Sequence, residues 1–113
     1  MRTKNHFQLR GFIGNDPEIK NLESGKKLVN LRIATNDQYK EKKSEEVKKT
    51  TDWHSVTLWN SKAEYAAKFL KKGALVAVEG RIKPRTIEKD GETLYITDLV
   101  VDTLDVILNK EEE

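Results

Sequence analysis

The chain has 113 residues and a mass of 13.0 kDa, is 36% hydrophobic and 35% charged, and carries a net charge of +2, two histidines and no cysteine. That length supports one domain with one modest core, and no apolar run approaches the roughly 18 residues that a membrane helix needs. The lack of cysteine excludes disulfides and thiol catalysis; with only two histidines a zinc site is not expected, and no cofactor is implied.

The N-terminal MRTKNHFQLRG is basic but has no apolar stretch of signal-peptide type, so a cytoplasmic protein is the expectation. Asn5 to Gly14 reads as the first strand, with Phe7 and Leu9 alternating against Gln8 and Arg10. The two glycines of GFIG predict a bend or bulge, and NDPE predicts a turn. Lys27 to Asn36 reads as the second strand. Val29, Leu31, Ile33 and Thr35 share one face, and Asn30, Arg32 and Ala34 share the other. The segment YKEKKSEEVKKT is too polar for a core element and predicts an exposed finger or hairpin tip.

The third strand, TDWHSVTLW, alternates strictly over 51–59. His54, Val56 and Leu58 take one face; Trp53, Ser55, Thr57 and Trp59 take the other. Burying the tryptophans would bury Ser55 and Thr57 and expose Val56 and Leu58, so the pattern predicts an outward aromatic face. A helix follows. Ser61-Lys62-Ala63-Glu64 has the form of a capping box. Ala63, Ala66, Ala67 and Leu70 make one narrow apolar face. Lys71 and Lys72 suit the negative end of the helix dipole, and Gly73 predicts a left-handed stop. Tyr65 and Phe69 are spaced to touch on the helix.

LVAVEGRIKPR reads as the fourth strand. Val76, Val78 and Ile82 lie on one face, and Glu79, Arg81, Lys83 and Arg85 on the other. Gly80 predicts a sharp bend and Pro84 an edge position. Asp90-Gly91 predicts a hairpin turn into a fifth strand over 93–107. Five bent strands with one helix between the third and fourth is the order of an OB-fold barrel. That fold accounts for residues 1–107; residues 108–113 are expected to form a short, acidic, disordered end.

The outer faces carry the chemistry. Unpaired bases all present a π-face, so stacking on exposed aromatics needs no particular sequence, at roughly 1–3 kcal/mol per base. Trp53 and Trp59 are separated by about 20 Å along a strand, enough for separate bases of one extended chain. Arg81, Lys83 and Arg85 recur every second residue, a pitch that can track phosphates. Basic residues occur early and centrally, at Arg2, Lys4, Arg10 and between Lys40 and Lys49, whereas Asp98, Asp102, Asp105 and Glu111 to Glu113 lie late. Such asymmetry fits a polyanion-binding face. The carboxylates Asp16, Glu18 and Asp37 have no nucleophile or metal-ligand spacing beside them, so an enzyme is not expected.

The motifs GFIGNDPEIK, LVNLRIATN, TDWHSVTLWN, AEYAAKFLKKG and VEGRIKPR, in this order and spacing, resemble the bacterial-type single-stranded DNA-binding proteins over residues 5 to 107. The resemblance implies an OB fold, a homotetramer, no catalysis, and sequence-tolerant binding of single-stranded DNA in replication, recombination and repair in the bacterial cytoplasm. It places stacking aromatics at Tyr39, Trp53 and Trp59, and a further family aromatic at Ile87, where this chain departs from the pattern. Arg32, Lys4, Arg10, Lys48, Lys49, Arg81, Lys83 and Arg85 complete the candidate strand-contacting set. His54 falls at a family subunit contact, and Phe7 and Leu9 on the dimer-forming strand. The family's closing acidic peptide ends in phenylalanine and recruits replication and repair proteins. This chain ends in LNKEEE, so that function does not carry over. A primosomal-type relative of the same fold, bridging replication-restart partners, is the alternative.

Overall fold

A computed structural model describes residues 2–109. It contains six strands and one helix: β1 (Phe7–Ile13), β2 (Lys20–Asn21), β3 (Lys27–Lys40), β4 (Val47–Trp59), α1 (Ser61–Phe69), β5 (Leu75–Lys89) and β6 (Glu92–Leu108). β2 is two residues long and pairs only with the start of β3. The other five strands form the expected OB-type barrel, and the extra short strand moves the helix to between β4 and β5 in chain order. The sheet order β1-β5-β6-β4-β3-β2 closes where β1 also pairs with β3.

The core follows from strand alternation. Val29, Leu31 and Ile33 of β3, Val56 and Leu58 of β4, and Val76 and Val78 of β5 are fully buried. Ala63, Ala66 and Leu70 bring the narrow face of α1 onto them. Small side chains let the helix lie close to the barrel end.

Two glycines permit the closure. A Cβ on Gly11 would collide with the Ala34 carbonyl, where β1 crosses β3. A Cβ on Gly80 would collide with the Val100 carbonyl, where a bulge shifts the β5–β6 register. β5 pairs with β1 only as far as Gly80; beyond it, β5 pairs with β6 alone. Residues 81–99 are therefore a two-stranded arm. This explains Pro84, which sits where one edge of β5 has no neighbour to receive an amide. It also corrects Ile82, which has core parity but is exposed, because the strand has already left the barrel. β3 and β4 likewise continue past the barrel as a ribbon closed by residues 41–46, the finger expected from the charged segment.

The helix start differs from the capping-box expectation. The cap is Asn60, at φ 53°, with no side-chain cap hydrogen bond, and Ser61 is already helical. Asn60 instead ties the helix to the sheet: its amide donates to the Lys27 carbonyl (2.8 Å), and its Oδ1 accepts from the Lys27 amide (3.2 Å). The Glu64 carboxylate is drawn off to Lys27 Nζ. A tertiary cation thus outcompetes the local reach-back. Gly73 is left-handed as expected (φ 97°), but Leu70 is already extended, so Gly73 turns the loop after the helix rather than ending it. Leu108 is the last residue of β6, and Asn109 Nδ2 donates to the Phe69 carbonyl (2.9 Å). The rest of the expected acidic end, 110–113, lies outside the described residues.

Candidate nucleic-acid interface

The β3–β4 ladder runs without a break from Leu28↔Trp59 to Lys40↔Val47, so its two faces are assigned by parity. Val56 and Leu58 point into the core. Trp53 is 50% exposed and Trp59 half-buried, with Ser55 and Thr57 between them on the same outer face.

Trp53 is seated by its neighbours. A Cβ on Gly14 would overlap the indole, so glycine is what lets the ring lie there. The Arg32 guanidinium carbon stands 4.6 Å from the ring centroid, a cation–π stack. Lys71 and Lys72 line the same hollow. The NDPE turn holds this wall in place: Asp16 Oδ1 accepts from the Lys72 amide (2.9 Å), and Asn15 Oδ1 accepts from the Arg32 amide (2.8 Å).

From there the surface is continuous. Arg32 also borders the next hollow, with Asn30 and Ser55. Asn30, receiving a hydrogen bond from Thr57 Oγ1 (3.2 Å), borders a third with Trp59, Arg85 and Asp98. Trp59 then borders a fourth with Lys26, Lys62, Arg81 and Lys83. Fold closure therefore unites two features distant in sequence: the tryptophan strand and the cationic stripe of β5.

The stripe is not purely basic. Arg85 Nε is 2.7 Å from Asp98 Oδ2, and Arg81 Nε is 3.4 Å from Asp102 Oδ2. Asp98 and Asp102, late in sequence, are thus interleaved with the cations in space. The charge separation read along the chain does not survive folding here.

Other candidates lie off this path. Tyr39 is 55% exposed, and the unbroken register puts it on the face of Thr35 and His54, opposite that of Trp53. Lys48 shares Tyr39's face, within 3.3 Å of Glu46 and 3.9 Å of Glu41, whereas Lys49 is on the tryptophan face opposite Gln38. Ile87 is half-buried opposite Leu94 on the arm. Lys4 is exposed ahead of β1, and Arg10 points outward from β1 opposite Ala77. Phe7 and Leu9 turn inward and pack against the core; the outward residues of β1 are Gln8, Arg10 and Phe12. The strand's alternation thus turns Phe7 and Leu9 toward the barrel and leaves the outer side of β1 to its other residues. His54 is half-buried, with Nε2 3.0 Å from Thr35 Oγ1. Tyr65 and Phe69 do touch, with centroids 4.9 Å apart and rings tilted by 46°, but on the exposed side of α1.

Sequence reasoning missed Lys26, Lys62, Lys71 and Lys72 as neighbours of the tryptophans. Their positions depend on where the barrel closes and where the helix ends, which no local pattern encodes. Among the described residues, no group of three or more histidines or carboxylates is placed to hold a metal.

The model of the single-strand binding protein family matches residues 4–107. A Plasmodium falciparum SSB complex with ssDNA is similar at 27% identity and a TM-score of 0.76, over 97% of this chain and 98% of that one. A deletion mutant of the single-stranded DNA binding protein from Thermus aquaticus is similar at 28% identity and a TM-score of 0.78, over 92% of this chain and 50% of that one. With nearly the whole barrel and its outer tryptophan strand inside the matched region, this chain belongs to the single-strand binding protein family.

Proposed function

We propose that the chain binds single-stranded DNA with little sequence preference, stacking bases on Trp53 and Trp59 and contacting phosphates through Arg32, Arg81, Lys83 and Arg85. The observation that carries the reading is the unbroken outer surface joining the two tryptophans, bordered by cations from three elements. Stacking on indoles reads no base edge, and cations on phosphate read no sequence. Tyr39, Lys48 and Lys49 extend the contact along the finger, Ile87 along the arm, and Lys4 and Arg10 beside and on β1. The role is non-catalytic: protection of exposed strands during replication, recombination and repair in the cytoplasm, by a homotetramer that uses β1 and His54 at its subunit contacts.

Both tryptophans lie on the path, and they are the only two in the chain. Titration with oligo(dT) at low salt will strongly quench indole fluorescence, and added salt will reverse the quenching. Unchanged emission at saturating oligonucleotide refutes the reading. Light scattering should give four times the 13.0 kDa chain mass; a monomer at micromolar concentration refutes the assembly.

A further inference from the structure

We infer that Asp98 and Asp102 set the strength of the Trp59 end by occupying, in the free protein, the guanidinium groups that a DNA phosphate must take. The inference rests on the proposed strand-binding function and deepens it. Asp98 borders both hollows that flank Trp59, and Asp102 borders one of them. Asp98 is directly across the ladder from Lys83 and in contact with Arg85 Nε. Asp102 occupies the extra position created by the β5–β6 bulge, where it meets Arg81. Both carboxylates therefore face the path itself.

The pairs are built to be exchanged. The side chains of Arg81 and Asp102 are 53% and 49% exposed, and those of Arg85 and Asp98 51% and 29%. Exposed pairs of this kind add little to folding, so giving one up leaves the barrel intact. A carboxylate and a phosphate oxygen offer a guanidinium the same charge-assisted contact. When phosphate displaces Asp98, the released carboxylate takes back a solvent cation, offsetting part of the counterion release that drives binding. Each aspartate therefore lowers affinity and flattens its salt dependence. Arg32, stacked on Trp53, has no carboxylate ion pair among the described contacts, unlike Arg81 and Arg85.

The test compares oligo(dT) binding by the wild-type chain, Asp98→Asn, Asp102→Asn and the control Asp105→Asn. Asp105 is an exposed carboxylate opposite Ala77, away from the stripe, and its replacement makes the same net-charge change. Asp98→Asn and Asp102→Asn should each tighten binding about three- to five-fold at low salt. Each should also steepen the plot of log K against log salt by up to about 0.7. In an Arg85→Ala background, Asp98→Asn should give no gain, because the cation it released is gone. Binding by the wild-type chain with equal affinity and slope in the variants refutes the inference and leaves the proposed function standing. Weaker binding in Asp98→Asn shows that the carboxylate orients Arg85 rather than competing for it, and refutes it too. An equal gain in Asp105→Asn reduces the effect to net charge. No binding by any of the four proteins refutes the inference together with the function on which it rests.

Discussion

The two tryptophans occupy the same face of the same strand, six residues apart, yet their surroundings differ. Trp53 is half exposed, rests on a glycine, and is stacked by an arginine whose backbone is pinned by Asn15. Trp59 is the more buried, lies where strand meets helix, and faces arginines already engaged by aspartates. Strand parity makes both rings outward, but it does not make them equal. Their strengths come from other elements: the β1–β2 turn at one end and the β6 bulge at the other.

The two single-tryptophan variants break this comparison most directly, because each leaves one reporter. Trp53→Ala should lose binding toward the upper end of roughly 1–3 kcal/mol, and Trp59→Ala toward the lower end. Oligonucleotide titration by fluorescence anisotropy measures both losses, and equal losses would erase the distinction. In the same variants, the indole of Trp59→Ala should quench more than that of Trp53→Ala. The next effect isolates the seat from the ring. Gly14→Val leaves Trp53 present but fills the space beneath it, and should weaken binding by roughly 1 kcal/mol while sparing quenching of Trp59 in a Trp53→Phe background. The smallest effect concerns the junction beside Trp59. Ser61→Ala should change stability by no more than about 0.5 kcal/mol, because Ser61 does not cap the helix. Asn60→Ala should cost about 1 kcal/mol, since its side chain bonds the start of β3. Thermal unfolding of both distinguishes the true cap from the one the sequence suggests.

Much of this was legible in the residue pattern. Alternation in TDWHSVTLW assigned the inner and outer faces correctly, and the alanine stripe found the buried side of α1. Gly80 marked the bend. What failed did so where a distant partner decides. Glu64 could not be known to prefer Lys27, since that pairing depends on the end of β3 reaching the start of α1. Ile82 carries core parity, but parity does not say where the barrel ends and the arm begins. Tyr39 needed an unbroken register through a charged ribbon before its face could be assigned. Asp98 and Asp102 looked like part of an acidic tail-ward region because sequence order hides which strands are neighbours. Lys71 and Lys72 read as helix-dipole partners, whereas their place beside Trp53 follows from the loop that returns the chain to β5.

The barrel is closed between β4 and β6 by a single parallel ladder pair, Thr57↔Val100. Both residues also border the hollows around Trp59. A strand laid across that indole would rest on both sides of the narrowest seam in the wall and hold it shut like a staple. Occupancy of the surface and breathing of the barrel are then one equilibrium seen from two sides. Hydrogen exchange at this seam should slow as the strand binds, even though no ladder bond is added.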